Sequence, residues 1–345
     1  MTTTGARDAS TPAHEVLDWT RGLVDPALRT AVDTLPEDMR HIAGYHFGWW
    51  DERGQPRRAS GGKALRAALV LLTAEAVGAT ASAALPAAVA VELVHNFSLL
   101  HDDVIDQDVT RRHRPTAWSV FGTSAAILAG DALVTLASGV LGTSEHPAAL
   151  RGIRVLNNSV QDLIQGQIMD IAFEQRDDVE LAECQRMAQS KTGALLGAAC
   201  ELGTLFGDAA PEQTEHLRAF GDKLGLAFQH ADDLLGIWGD PDVTGKPAYS
   251  DLHGRKKTLP VVAALQSGTP AGNELATRYQ REEPLSHAEL TEVADLIDTA
   301  GGRSWSHDQA SRLLTEARHH LHAANPHART AELEALADMV TDRDH

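Results

Sequence analysis

Residues 99–116, "LLHDDVIDQDVTRRHRPT", place four aspartates ahead of three arginines. Asp102, Asp103 and Asp106 stand at i, i+1 and i+4, so on a helix Asp102 and Asp106 project from one face, a turn apart. Two carboxylates at that separation repel unless a cation stands between them, and hard oxygen donors on a rigid helix suit Mg²⁺ that keeps some of its waters. A solvated acidic face is the alternative. The apolar run "VELVHNFSLL" just upstream favours the rim of a cavity. A second pair, Asp232 and Asp233, ends another apolar segment, "LAFQHADDLLGIWGD", with Gly236 one turn on and Asp240 beyond it. Two such faces across a cavity would hold a diphosphate through bridging cations.

The bases are grouped as well. Lys63 and Arg66 lie three apart at a helix start behind two glycines, a two-pronged cationic grip beside free amides. The segments 49–63 and 239–258 are polar, rich in bases and glycine, and read as ordered loops where backbone can approach an anion.

"GGKALR", "DDVID" followed by "RR" and "PT", and "FQHADDLLGIWGDPDVTGK", in that order between residues 61 and 260, resemble the trans-type isoprenyl (polyprenyl) diphosphate synthases, geranylgeranyl diphosphate synthases in particular. The resemblance implies an all-α fold of antiparallel helices around a deep central cavity, the isoprenoid synthase type I fold. It also implies a homodimer and Mg²⁺-dependent, head-to-tail condensation of isopentenyl diphosphate with an allylic diphosphate, served by three Mg²⁺ ions. Position by position, Asp102, Asp106 and Asp232 would ligate Mg²⁺, with Asp103 and Asp233 completing or supporting the two clusters. Lys63, Arg66, His95 and Arg112 match residues that hold isopentenyl diphosphate. Arg111, Lys191, Thr192, Gln229 and Lys246 match residues at the allylic diphosphate, with Lys256 nearby. Asp102, Asp106, Arg111, Lys191, Asp232 and Lys246 would carry the ionisation step.

Three positions depart from that pattern. Gly236 stands where the second motif usually ends in aspartate, His113 follows the arginine pair where glycine is common, and Ala67 replaces a proline. Gly236 alone touches the chemistry, and it motivates a rival reading as a catalytically silent diphosphate-binding subunit. A class I terpene cyclase is a second rival, opposed by the Lys63 and Arg66 grip, since a cyclase needs no second diphosphate. Phe97 lies about 7.5 Å down the helix from Asp102 and some 140° round from it, so it is a candidate floor for the growing chain or a packed core residue. Phe97 with Ser98 beside it, and no insertion inside "DDVID", resembles synthases of the twenty-carbon product, with farnesyl diphosphate the nearest alternative.

The elements that must position these residues are helices. Apolar residues recur at helical spacing along the chain, as at Leu69, Leu72 and Ala76, and at Leu333, Leu336 and Val340. Prolines 36, 56, 86, 115, 147, 211, 241 and 260 read as breaks between helix-length segments. No Gly/Ser-rich linker divides the chain, so one all-helical domain is expected over residues 15–345, behind a disordered tail at 1–14 that has no signal-peptide pattern. The segment 117–142 is the most membrane-like, but Asp131 and its glycines make it a core helix rather than a stable membrane insertion. A net charge of −18 argues against nucleic acid as a partner. Cys184 and Cys200, too few and too far apart for a zinc site or a disulfide framework, indicate core thiols in a reducing cytoplasm.

Overall fold

A computed structural model describes residues 12–57, 62–240, 248–281 and 283–341. The described residues are mainly helical, with α1 (Ala13–Val32), α2 (Glu37–Phe47), α3 (Leu65–Ala76), α4 (Ala81–Ile105), α5 (Ala117–Phe121), α6 (Thr123–Gly142), α7 (Ala149–Glu174), α8 (Leu181–Ala188), α9 (Ala194–Phe206) and α10 (Pro211–Trp238) in the larger part. The remainder is α11 (Ser250–His253), α12 (Leu259–Leu265), α13 (Pro270–Tyr279), α14 (His287–Thr299), α15 (Gly302–Ala323) and α16 (Thr330–Thr341). The tail expected at 1–14 falls almost wholly outside the described residues, and α1 already begins at Ala13.

Small residues let these helices pack closely. α3 and α4 are buried almost all round, with Leu69, Leu71, Leu72, Val91, Leu93 and Val94 fully enclosed, and they pack with α9, α6 and α10 into the main core. A second apolar cluster joins the end of α10 to α11–α14. A third joins α7 and α8 to α12. Cys184 and Cys200 are buried thiols, and burial pushes both pKa values up.

Pro36, Pro211 and Pro260 do sit at helix starts. Pro86 does not: it lies inside α4. Its missing N–H deprives only the carbonyl of Ser82, in the exposed first turn where water can replace it. The core-helix expectation for 117–142 also needs division. α6 turns Leu133, Ala137 and Leu141 inward but leaves Ile127 and Leu128 exposed, the latter 56% so. A helix apolar on all sides needs partners on all sides, and α6 packs only on some of them.

The basic segment after α4 is a short hairpin, β1 (Thr110–Arg111) against β2 (Arg114–Pro115), rather than a helix end. Its two turn residues, Arg112 and His113, have φ of 51° and 59°, the left-handed pair that a tight two-residue hairpin turn requires. His113 thus occupies a conformation that glycine adopts without a Cβ penalty. His113→Gly is expected to raise stability by about 0.5–1 kcal/mol, read as a higher urea midpoint at constant slope; a lower midpoint would contradict it.

Candidate active site

α4 delivers the first acidic face. Asp102 and Asp106 are half-buried and Asp103 is 1% exposed. Asp106 closes the helix, its backbone N–H donating to Asp102 O at 2.8 Å. Lys256 Nζ donates to Asp106 Oδ2 at 2.8 Å, and Arg111 Nε to Asp103 Oδ1 at 2.6 Å. Burial drives the Asp103 carboxyl up to about 6 against the pull of Arg111. Burial also raises the pKa of Asp102, outweighing Lys191, while the charge of Asp106 adds to the rise.

A second acidic face comes from α7, and the sequence reading missed it. Asp170 accepts from Lys191 Nζ at 2.6 Å. Glu174, one turn on, feels Lys256, Asp170 and Asp106 beneath a dominant rise from burial. Burial works against the charge of Lys191 and Lys256, yet their acidic neighbours leave both pKa values raised. Asp106, Asp170 and Glu174 therefore share one electrostatic field with the two lysines. Gln167, three residues before Asp170, is 7% exposed and neither end of its amide has a hydrogen-bond partner among the described residues. The signal was present in "GQIMDIAFE", whose Asp170 and Glu174 repeat the i, i+4 spacing of Asp102 and Asp106.

Lys191 and Thr192 sit on a single π turn, Gln189–Gly193, between α8 and α9. Such turns recur at functional sites because they reposition side chains inside an otherwise regular helix. Glycine permits the fit: a Cβ on Gly166 of α7 would lie 2.4 Å from the backbone N of Lys191, and one on Gly225 of α10 would lie 2.6 Å from Gly193 Cα. Thr192 Oγ1 donates to Gln229 Oε1. Gln229 Nε2 donates to Asp233 Oδ1 at 2.6 Å, and Leu259 N to Asp233 Oδ2 at 2.9 Å. This chain of bonds ties the π turn, α10 and α12 together.

The acids accordingly divide into two kinds, which narrows their reading as metal ligands. Both oxygens of Asp233 are committed to protein donors, and one oxygen of Asp103 is committed to Arg111. In this structure they brace the acidic faces. Asp102 and Asp106 are half-buried and Asp232 is exposed, and Asp106 accepts from Lys256. Among the described residues no three acidic, imidazole or thiol groups come close enough to hold a metal ion by themselves. That donor set fits a hard cation that takes its remaining oxygens from a diphosphate and water. Lys246 lies outside the described residues.

A second basic group, Arg66, Arg112 and Arg111, surrounds His95. Arg66 Nη1 is 3.4 Å from His95 Nε2. Burial, reinforced by Arg66, Arg112 and Arg111, holds His95 well below its ordinary pKa, so the imidazole is neutral. Arg112 lies against Gly62, where a Cβ would come within 2.7 Å of its guanidinium. Lys63 is exposed and precedes α3, whose N-cap Ala64 is left-handed at φ 54°, so helical spacing does not pair Lys63 with Arg66 as the sequence suggested. Phe97 is 6% exposed and meets His101 edge to face at 4.8 Å, so it is wedged into the core. Ser98 Oγ bonds back to His95 O at 2.8 Å.

Comparison with known proteins points the same way. The (2E,6E)-farnesyl diphosphate synthase of Mycobacterium tuberculosis is 47% identical over 332 residues, covering 95% of this chain and 92% of that one. The geranylgeranyl diphosphate synthase of the same organism is 44% identical over 331 residues, covering 95% and 93%. A crystal structure of a polyprenyl synthetase from Streptomyces coelicolor superposes with a TM-score of 0.90 at 47% identity, covering 94% and 98%. A geranylgeranyl pyrophosphate synthase from Corynebacterium glutamicum, complexed with isoprenyl diphosphate and magnesium, superposes at 0.79 with 26% identity over 98% and 100% of the two chains. Residues 54–297 match the polyprenyl synthetase family. With acidic faces on α4 and α7, lysines between them and a separate arginine grip alongside, the chain belongs to the polyprenyl synthetase family of trans-prenyltransferases, whose members elongate prenyl chains.

Proposed function

We propose that this protein condenses isopentenyl diphosphate head-to-tail with an allylic diphosphate in the cytoplasm, making geranylgeranyl diphosphate. The observation that carries the reading is the pair of cationic sets side by side: Lys191 and Lys256 among the acids of α4 and α7, and Arg66 and Arg112 with a neutral His95 next to them. One set serves the diphosphate that leaves and the other serves the diphosphate that stays. Asp102, Asp106 and Asp232 would hold Mg²⁺, which when bound neutralises charge on the departing diphosphate oxygens. Lys191, Lys256 and Arg111 add fixed positive charge where negative charge develops. Arg66, Lys63 and Arg112 fix the second substrate so that its double bond faces the ionised carbon. The buried run of α4 from Val91 to Leu100 keeps water from the cation. No protein nucleophile is needed, and the released diphosphate can accept the lost proton.

Phe97 sets the length of the product on this reading. The 47% identical relative is a farnesyl diphosphate synthase, which makes the fifteen-carbon product the competing outcome. Purified protein given isopentenyl diphosphate, each allylic primer and Mg²⁺ is expected to yield a twenty-carbon product by chromatographic sizing. Phe97→Ala is expected to shift it to twenty-five carbons or more. A fifteen-carbon product would correct the chain length alone. A cyclised hydrocarbon, or ligand binding without turnover, would overturn the proposal.

The proposal includes a homodimer. Ile164, Ile168 and Ile171 form an exposed stripe on α7, and Leu128 of the neighbouring α6 is exposed as well, apolar surface that a second copy would cover. The double variant Leu128→Glu/Ile168→Glu is expected to sediment as a monomer where the parent sediments as a dimer. A dimer persisting in the variant would place the interface elsewhere.

A further inference from the structure

The second acidic motif repeats the spacing of the first, Asp232, Asp233 and Gly236 matching Asp102, Asp103 and Asp106, so position 236 is where a carboxylate would share a face with Asp232. The structure shows what takes that space. A Cβ built on Gly236 would fall 2.0 Å from Oδ2, 2.5 Å from Cγ and 3.0 Å from Oδ1 of Asp251. The carboxylate of Asp251 lies where a side chain at 236 would begin, so a side chain there must displace it.

Asp251 reaches that place on a docked turn. α11 rests on α10, with Ser250 Oγ donating to Gly236 O at 3.3 Å and Leu252 fully buried beneath it. The backbone N–H of Lys256 donates to Asp251 O at 3.0 Å, which links this turn to the lysine that bonds Asp106. The charge of Asp251 is felt at Asp233, where burial is the larger cause of the raised pKa, and at Lys256.

We propose that Asp251 supplies, from α11, the carboxylate that the second motif lacks at Gly236, so that this cation site is built by two elements rather than one. The proposal rests on the reading of these aspartates as Mg²⁺ ligands. It carries a counterintuitive corollary: completing the motif by Gly236→Asp weakens the site, because the new side chain expels Asp251.

The test is Mn²⁺ binding in the presence of inorganic pyrophosphate, followed by electron paramagnetic resonance of the free ion, with thermal melts as the folding control. Asp251→Asn, which is isosteric, is expected to weaken pyrophosphate-dependent Mn²⁺ binding about tenfold or more. Gly236→Asp is expected to weaken it too, and Gly236→Asp/Asp251→Gly to recover to within about threefold of the parent. Parent-like binding by Asp251→Asn overturns the proposal, as does a cooperatively melting double variant that binds no better than either single one. Should the double variant fail to fold, Asp251→Asn decides alone. If Asp102→Asn loses Mn²⁺ and Asp251→Asn does not, the failure is confined to this proposal. A parent protein with no pyrophosphate-dependent Mn²⁺ binding overturns the metal reading and this one with it.

Discussion

Asp102→Asn is expected to lower kcat/KM at least about a thousandfold while making the protein more stable at pH 8. On the proposed function the loss follows from removing one Mg²⁺ ligand where the leaving group departs; single groups that stabilise developing charge contribute about 10²–10³ in rate, and loss of the ion would remove more than one such contribution. The gain follows from linkage. Burial raises the folded-state pKa of Asp102 above its ordinary value. Such a group stabilises the fold fully only below its unfolded pKa, and that contribution is lost as pH rises through the folded value. Above its folded value the carboxylate is charged while half-buried and close to Asp106, and asparagine removes that cost. The stability advantage of the variant should therefore shrink as pH falls towards the ordinary carboxylate range. Denaturant midpoints at several pH values, with steady-state kinetics on the same preparations, check both halves. A variant both inactive and destabilised at pH 8 would show that Asp102 holds the fold together rather than serving the site.

Gly166→Ala is expected to destabilise the protein by about 2–3 kcal/mol and to lower kcat/KM about a hundredfold. The added methyl would stand 2.4 Å from the backbone N and 2.7 Å from Cα of Lys191. These are backbone atoms of the π turn and cannot swing aside, so α7 and the turn must separate. That separation would move Lys191 relative to Asp170 and Asp102. Gly22→Ala in α1 is the control: nothing lies within 4 Å of its Cβ, and an exposed glycine inside a helix gains about 0.5–1 kcal/mol on becoming alanine. Unchanged kinetics in Gly166→Ala would mean that the π turn has more freedom than its packing shows.

The helical class and the first acidic face were legible because each depends on spacing within one element. Asp102 and Asp106 share a face at i, i+4 wherever the helix lies. The neighbouring Asp103 and Asp233 were not legible in the same way, since periodicity does not say which of two adjacent acids turns inward to meet Arg111, Gln229 or the Leu259 amide. The π turn hid inside a segment of helical pattern; only the approach of Gly166 and Gly225 reveals it. Asp251 was beyond reach for another reason. Its relation to Gly236 depends on how a four-residue helix docks fifteen residues later in the chain. For α6, hydrophobicity correctly indicated the buried Leu133, Ala137 and Leu141 but did not show that Ile127 and Leu128 lie exposed.

α7 bears two jobs on adjacent sides. Its exposed stripe of Ile164, Ile168 and Ile171 and its polar row of Gln167, Asp170 and Glu174 are centred about 100° apart around one rod, at about 100° per residue. Whatever clamps the stripe also fixes how far the row stands from Lys191 and the end of α4. In the proposed homodimer, quaternary structure and turnover would be mechanically linked through a single helix, and dilution that separates the two copies would slow each of them rather than merely halve the assembly.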